Sequence, residues 1–294
     1  MFIVEQLIRV GYVPLMTAGF AFAAIFSVSN DIGYIYLFGL LLAAIFISFL
    51  AERIVPYDHL WNRGHRDTKR DFLHAVVNEA SNVLSVVSLP LIVALAPDFG
   101  FWPSEWALWG QLLLAVLIAD CGITLVHYIS HKHPLLWRFH AVHHSVKRMY
   151  GFNGLMKHPV HQAIETIGGT FPLILMGIPV EVAALLAFAI SIQLLLQHSN
   201  VDVKIGPLRY LFALSPVHRF HHIKWPVEGD VNFGLFTTIW DRILGTAVFD
   251  ADRRFSSQDL GIGREPDYPD AYLAQLAQPF KTRPYTETTT EQTS

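Results

Sequence analysis

Four apolar runs dominate the first half of the chain: Val10–Val28, Ile32–Leu50, Phe72–Ala96 and Trp106–Val126. Each is long enough, as a helix, to cross ~30 Å of hydrocarbon. Asn30-Asp31-Ile32-Gly33 has turn composition, so the first two runs predict a helical hairpin. A second run following so closely argues against a cleavable leader. The third run carries His74, Asn78, Glu79 and Asn82, mostly near one helical face, and these are expected to point into protein rather than lipid. A further apolar stretch, Val160–Leu196, is interrupted at Met176-Gly177-Ile178-Pro179, and Gly168, Gly169 and Pro172 weaken its first arm. Two short crossings and a re-entrant hairpin both fit it, and either returns His198 to the side it left. From Asp250 the pattern becomes polar, so 251–294 is expected to be a polar tail, with Thr286–Ser294 disordered. The predicted domain is therefore a single membrane-embedded unit over 1–250.

Charge adds an orientation. Arg53, Arg63, Arg66, Lys69 and Arg70 follow the second run, and Lys132, Arg138, Lys147, Arg148 and Lys157 follow the fourth, whereas Pro97–Glu105 has no basic residue. The positive-inside rule places both basic loops and the N-terminus in the cytoplasm. Only 15% of residues are charged and mean hydropathy is +0.37, against about 25% charged in soluble chains. The net charge of −3 argues against nucleic acid as a partner. One cysteine, Cys121, excludes an intramolecular disulfide and any four-cysteine cluster.

The 15 histidines are the anomaly. His127 and His131 stand at i, i+4 on a helix leaving the membrane, where two imidazoles can reach one metal. His140, His143 and His144 stand at i, i+3, i+4, and His218, His221 and His222 repeat that spacing. His198 lies alone at the end of an apolar run. Any one buried histidine is more often a satisfied core residue, but repeated helical spacings are not the pattern of a histidine-rich buffering tract. Nine imidazoles exceed what one zinc takes, and would serve two metals with four or five ligands each. Imidazole suits iron, copper, zinc and nickel, so spacing does not name the element.

At these residues the chain resembles the fatty acid hydroxylase/sterol desaturase superfamily. Asp120, His127, His131 and Leu136-Trp137-Arg138-Phe139-His140-Ala141-Val142-His143-His144-Ser145 follow its first pattern. Its later pattern is met by Ser215-Pro216-Val217-His218-Arg219-Phe220-His221-His222, Asn232-Phe233-Gly234 and Trp240-Asp241-Arg242-Ile243-Leu244-Gly245-Thr246, and Gln197-His198-Ser199-Asn200 is similar to its isolated histidine. The likeness covers Asp120–Phe249; the first hundred residues match in hydropathy only.

The resemblance implies two irons per chain, dioxygen as co-substrate, and hydroxylation or desaturation of a lipid C–H bond. It carries over His127, His131, His140, His143, His144, His198, His218, His221 and His222 as metal ligands. Lys157-His158-Pro159 is similar to a further element, making His158 a tenth ligand or a donor just behind the ligands. Asp120 is expected to accept the second ring N–H of a ligand. Asn232 and Asp241 are expected to hold the loop after the last cluster. His161 shares a helical face with His158 without motif support, and His59, His65, His74 and His133 have only structural or solvated readings. Asp120, Glu165 and Glu228 are the carboxylates available to balance metal charge.

The expected fold is all-α and membrane-embedded: about four long transmembrane helices plus a short or re-entrant hairpin, with a cytoplasmic helical cap holding a di-metal site. The lipid substrate enters laterally from the bilayer. Electrons come from an external ferredoxin, cytochrome b5-like protein or reductase, because the sequence holds no flavin, haem or iron–sulfur motif. A zinc-dependent membrane lipid hydrolase is the alternative, and needs no reductant. A metal transporter would place its ligands at midplane rather than at helix ends. Glu291–Ser294 lacks a retention signal, which points to a bacterial inner membrane.

Overall fold

The computed structural model describes residues 2–95, 97 and 99–281. Ala96, the end of the third run, and the expected disordered tail Thr286–Ser294 lie outside the described residues. Five described helices are long and apolar enough to cross a membrane. The first four are α1 (Phe2–Ser29), α2 (Ile35–Ile54), α3 (Thr68–Leu95) and α4 (Leu108–Lys132). Helix α5 (Pro134–His144) follows, then α6 (Pro159–Met176) and the fifth long apolar helix, α7 (Val180–His198). Among the shorter described helices, three bear on the site: α8 (Ser215–His221), α9 (Ile239–Leu244) and α10 (Tyr272–Ala277).

Helix α1 begins well before Val10, because Phe2–Arg9 offers no Gly, Pro or capping residue to stop it. It includes a π turn at Leu15–Gly19 directly after Pro14. Proline has no N–H and crowds the carbonyl four residues back, and one wide turn relieves that crowding. The predicted turn follows α1, with Asp31 and Gly33 at φ 51° and 101°. Arg9 pairs with Asp202 and its carbonyl accepts from Lys204 N, 2.9 Å. The start of α1 and the segment after His198 therefore share one end of the bundle.

The polar residues of α3 do face protein. Asn78 donates to Leu155 O and Lys157 O, and Ser191 Oγ donates to the Glu79 carboxylate. Asn82 Oδ1 accepts from Gln162 Nε2 at 2.9 Å.

Val160–Leu196 resolves into the α6–α7 hairpin, turning at Gly177 with φ 82°. Leu175 O accepts from Phe99 N at 3.0 Å, so the turn reaches the bundle end opposite the histidines. Gly168 and Gly169, which weaken α6 in isolation, let it approach α4 closely. A Cβ on Gly122 would lie 2.1 Å from Gly168 O, and one on Gly169 would lie 2.8 Å from Ile123. Small residues at such crossings are how helices pack closely where lipid removes the hydrophobic drive.

A cap closes the end carrying Lys132 and His198. It comprises α5, α8, α9, α10 and the segments between them. Residues 251–281 belong to it, contrary to the expected tail. Phe255, Leu260, Ile262 and Tyr268 are buried in two small clusters against Trp61, Phe220 and Val142. Gln275 is fully buried, donating to Ser145 Oγ and accepting at Oε1 from the His74 ring. These apolar residues follow no helical or strand period, so hydropathy alone does not reveal them.

Candidate metal centre and adjoining apolar cavity

Helix α4 delivers His127 and His131 on consecutive turns, α5 delivers His140, His143 and His144, α7 ends on His198, and α8 with its C-cap brings His218, His221 and His222. Their ligand atoms fall into two groups, each within 4.8 Å: His127, His131, His140, His144 and His221 in one, His143, His198, His218 and His222 in the other. The adjacent pairs His143/His144 and His221/His222 each split between the groups, as neighbours about 100° apart on a helix can.

Four rings have their tautomer fixed from behind. His127 Nδ1–H donates to Phe233 O (2.8 Å), His143 Nδ1–H to Met156 O (3.0 Å), His221 Nδ1–H to Val231 O (2.8 Å) and His131 Nδ1–H to Asp230 Oδ1 (2.9 Å). Carbonyl and carboxylate oxygens only accept, so each Nε2 presents a lone pair inward. There the Nε2 atoms crowd together: His127 to His140 at 3.0 Å, His131 to His144 at 3.1 Å and His140 to His144 at 3.0 Å. With lone pairs on His127 and His131, no placement of the two remaining ring protons satisfies all three contacts. A shared cation does. In the second group His198, His218 and His222 keep a buried Nδ1 without a hydrogen-bond partner, as does His221 at Nε2 in the first. Burial, reinforced by neighbouring imidazoles, pushes His140, His143, His144, His218, His221 and His222 well below the usual histidine range. They are neutral near pH 7, which is the ligating form. The residues fit two metal ions.

Asp120 does not bond a ring N–H, contrary to expectation. Its carboxylate accepts from Leu235 N, Phe236 N, Thr237 N and Thr237 Oγ1. Asp241 accepts from Phe233 N and Gly234 N. Together they hold the 233–237 loop and thereby aim the Phe233 carbonyl at His127. Asn232, in the left-handed region at φ 53°, donates to Val217 O and Val248 O and braces the same loop.

His158 stands outside both groups. It caps α6, its Nδ1 accepting from Val160 N and its Nε2–H donating to Leu276 O, both at 3.1 Å, so neither nitrogen remains for a metal. His161, given no role by motif, is fully buried; its Nε2 is 3.0 Å from Ser130 Oγ, and with His140 and Glu165 it forms a third group of ligand-type atoms. The signal in the sequence is the i, i+4 pair His161/Glu165, the ionisable side chains of a mostly apolar helix. His59, His65 and His133 are exposed, and His74 bridges Lys157 O and Gln275.

A cavity of about 330 Å³ lies between α3, α4, α6 and α7, with mostly apolar walls. A much smaller pocket of about 10 Å³ touches His127, His140, His143 and His218. Ile123, Lys157, Glu165, Leu194 and Leu235 line both, forming the neck between them.

The fatty acid hydroxylase family profile matches residues 112–246. The chain is 34% identical over 266 residues to an ornithine lipid hydroxylase of Rhizobium tropici, covering 87% of this chain and 79% of that relative. It is 30% identical over 171 residues to alkylglycerol monooxygenase of Danio rerio, covering 57% of this chain and 37% of the relative. A very-long-chain aldehyde decarbonylase of Oryza sativa subsp. indica is 26% identical over 140 residues, 46% of this chain and 54% of that protein. No solved structure matches the chain. With its membrane-length helices, its histidine groups and these lipid-modifying relatives, the chain belongs to the fatty acid hydroxylase/sterol desaturase superfamily.

Proposed function

We propose that the chain is a membrane-bound, dioxygen-dependent di-iron oxidoreductase that hydroxylates or desaturates a lipid C–H bond. The observation that carries this reading is the pairing of two buried, neutral imidazole groups with an apolar cavity that narrows onto them. His127, His131, His140, His144 and His221 would hold one iron; His143, His198, His218 and His222 would hold the other. When bound, iron there supplies dioxygen activation, which zinc lacks because it has no redox chemistry. The hydroxylase and monooxygenase names of the relatives favour oxidation over the zinc hydrolase alternative, and hydroxylation over desaturation. The protein positions the chain of a lipid in the cavity, keeps water from the rings, and holds the imidazoles neutral.

Two electrons come from an external ferredoxin, cytochrome b5-like protein or reductase. In our reading the cap and the N-terminus face the cytoplasm of a bacterial inner membrane, an orientation that the basic loops support. The test is anaerobic purification with reductant, metal analysis, and turnover under labelled dioxygen. Close to two irons per chain and one labelled oxygen in the product lipid are expected for hydroxylation. Labelled oxygen arriving from water, or full activity with one zinc and no oxygen, refutes the reading.

A further inference from the structure

The neck holds one charged pair. Lys157 Nζ donates to Glu165 Oε2 in close contact, and the two residues are only 6% and 4% exposed. Glu165 Oε1 lies 3.7 Å from His161 Nδ1, and the His161 ring sits 4.5 Å from that of His140. An ion pair held among apolar groups costs desolvation that its own attraction often fails to return. Such a pair lining an otherwise mostly apolar cavity is a site candidate in its own right.

The cavity is polarised along its length. Its cap end is lined by Asn82, Lys157, Gln162 and Glu165, and its far end by Leu173, Ile174, Ile178 and Ala183. Three of the hydroxyls between them donate to carbonyls of their own helices: Ser85 to Ser81 O, Ser88 to Ser85 O and Thr170 to Thr166 O. The span from Gln162 to Ile174 along α6 is ~18 Å at 1.5 Å per residue. Its volume of about 330 Å³ is roughly twice the ~150 Å³ that accommodates benzene, room for about a dozen carbons. Ile92, Ile167 and Phe171 line it while remaining exposed, so it opens sideways between α3 and α6. Only the polar end meets the imidazoles.

We propose that Lys157 and Glu165 bind a hydroxyl or carbonyl of the lipid at the neck, so that the oxidised carbon lies within a few bonds of that polar group while the alkyl chain extends away into the bundle. The substrate class is a lipid presenting its polar end to the metals, not one oxidised at mid-chain or at its methyl terminus. A methyl end arriving at the neck would face an ion pair, and its headgroup would meet the apolar far end. This assignment rests on the lipid-oxidising reading of the site.

The test compares binding of 1-dodecanol and dodecane to the purified full chain in detergent, by displacement of a fluorescent lipid probe. The wild type is set beside Lys157→Met/Glu165→Leu, which replaces both charges by apolar groups of similar size and strands neither. The ratio of alcohol to alkane affinity is expected to be about tenfold higher in the wild type, the worth of one charge-assisted hydrogen bond. Equal ratios in the two proteins overturn the proposal. Mapping the new oxygen in the wild-type product by mass spectrometry is the second measurement, needing no variant. A position within about three bonds of a polar group is expected, and a mid-chain or terminal position overturns the proposal. Absence of any oxygen-dependent product, with the binding ratio intact, would fault the proposed reaction and leave the lipid orientation standing.

Discussion

His127 and His140 bring their Nε2 atoms to 3.0 Å while the other nitrogen of His127 is committed to Phe233 O. Two ring nitrogens cannot rest that close, away from water, without a proton or a cation between them. Around this pair and its neighbours His131 and His144 the protein has one proton too few or one clash too many, whichever tautomers are chosen, a conflict that a shared cation would relieve.

Metal removal should therefore destabilise the fold as well as stop turnover. Returning two equivalents of ferrous iron anaerobically to chelator-treated protein is expected to raise the melting temperature. The linkage amounts to about 4 kcal/mol for a metal at a thousand times its dissociation constant. Identical melting curves with and without chelator would show that the clusters do not hold a stabilising ion.

Asp120→Asn should weaken the centre without touching a ligand. An amide NH2 placed among the three N–H groups and the hydroxyl that Asp120 accepts sets donor against donor. A cost of about 1–3 kcal/mol is expected, together with reduced metal content, because the loop carrying Phe233 O loosens. Full metal occupancy at wild-type stability would disconnect this carboxylate from the site.

The ligand assignment is separable from the capping role of His158. His221→Ala is expected to abolish product formation while the protein still inserts and folds. His158→Ala should retain metal and lose about 1 kcal/mol, the worth of an N-cap. Loss of metal from the His158 variant alone, read by elemental analysis, would reverse the two assignments. His59→Ala and His133→Ala, at exposed positions, should be near neutral.

Arg148 clamps the cap to the base of α3 through Asp67, with Nε and Nη2 reaching its two oxygens at 2.7 and 2.8 Å. Burial raises the Asp67 value, but Arg148's hydrogen bonds and charge outweigh it and leave the carboxyl below its usual range. The stabilisation is then complete above the unfolded value of about 3.9 and is lost as pH falls through the lower folded value. Asp67→Asn should cost about 3 kcal/mol at pH 7, since it leaves Arg148 buried without its counter-charge. The gap to wild type should narrow below about pH 4; a gap independent of pH would rule out the ion pair as its source.

Arg66, Lys147 and Ser104 are all exposed and suit topology mapping. Single cysteines placed there in a Cys121→Ala background should label from the cytoplasm at 66 and 147 and from outside at 104, following the charge asymmetry. External labelling at 147 would invert the proposed orientation.

The long apolar runs and the repeated histidine spacings were legible in the chain itself, because both are local periodicities. A helix that crosses hydrocarbon must be apolar along its length, and two imidazoles on one helix that face the same group stand four residues apart, as His127/His131, His140/His144 and His218/His222 do. His198 has no partner within a turn, so its place in the set rests on the count of nine and on the family motif rather than on spacing.

What the sequence by itself determined about this protein is its class, its helices and the membership of its histidine set. Tertiary structure decided the rest. Which imidazoles group together depends on α4, α5, α7 and α8 meeting at one end of the bundle, a contact between residues far apart in the chain. Asp120 and Asp241 converge on one loop through hydrogen bonds spanning more than a hundred positions in the first case and a few in the second, and no spacing rule encodes the former. In the sequence Lys157 is one basic residue among several after the fourth run and Glu165 one of three carboxylates available to balance metal charge; they become a pair at the neck only where α3, α4 and α7 close around them. Residues 251–281 read as a tail, because an aperiodic segment buries its few apolar side chains only against a surface already formed by the rest of the cap.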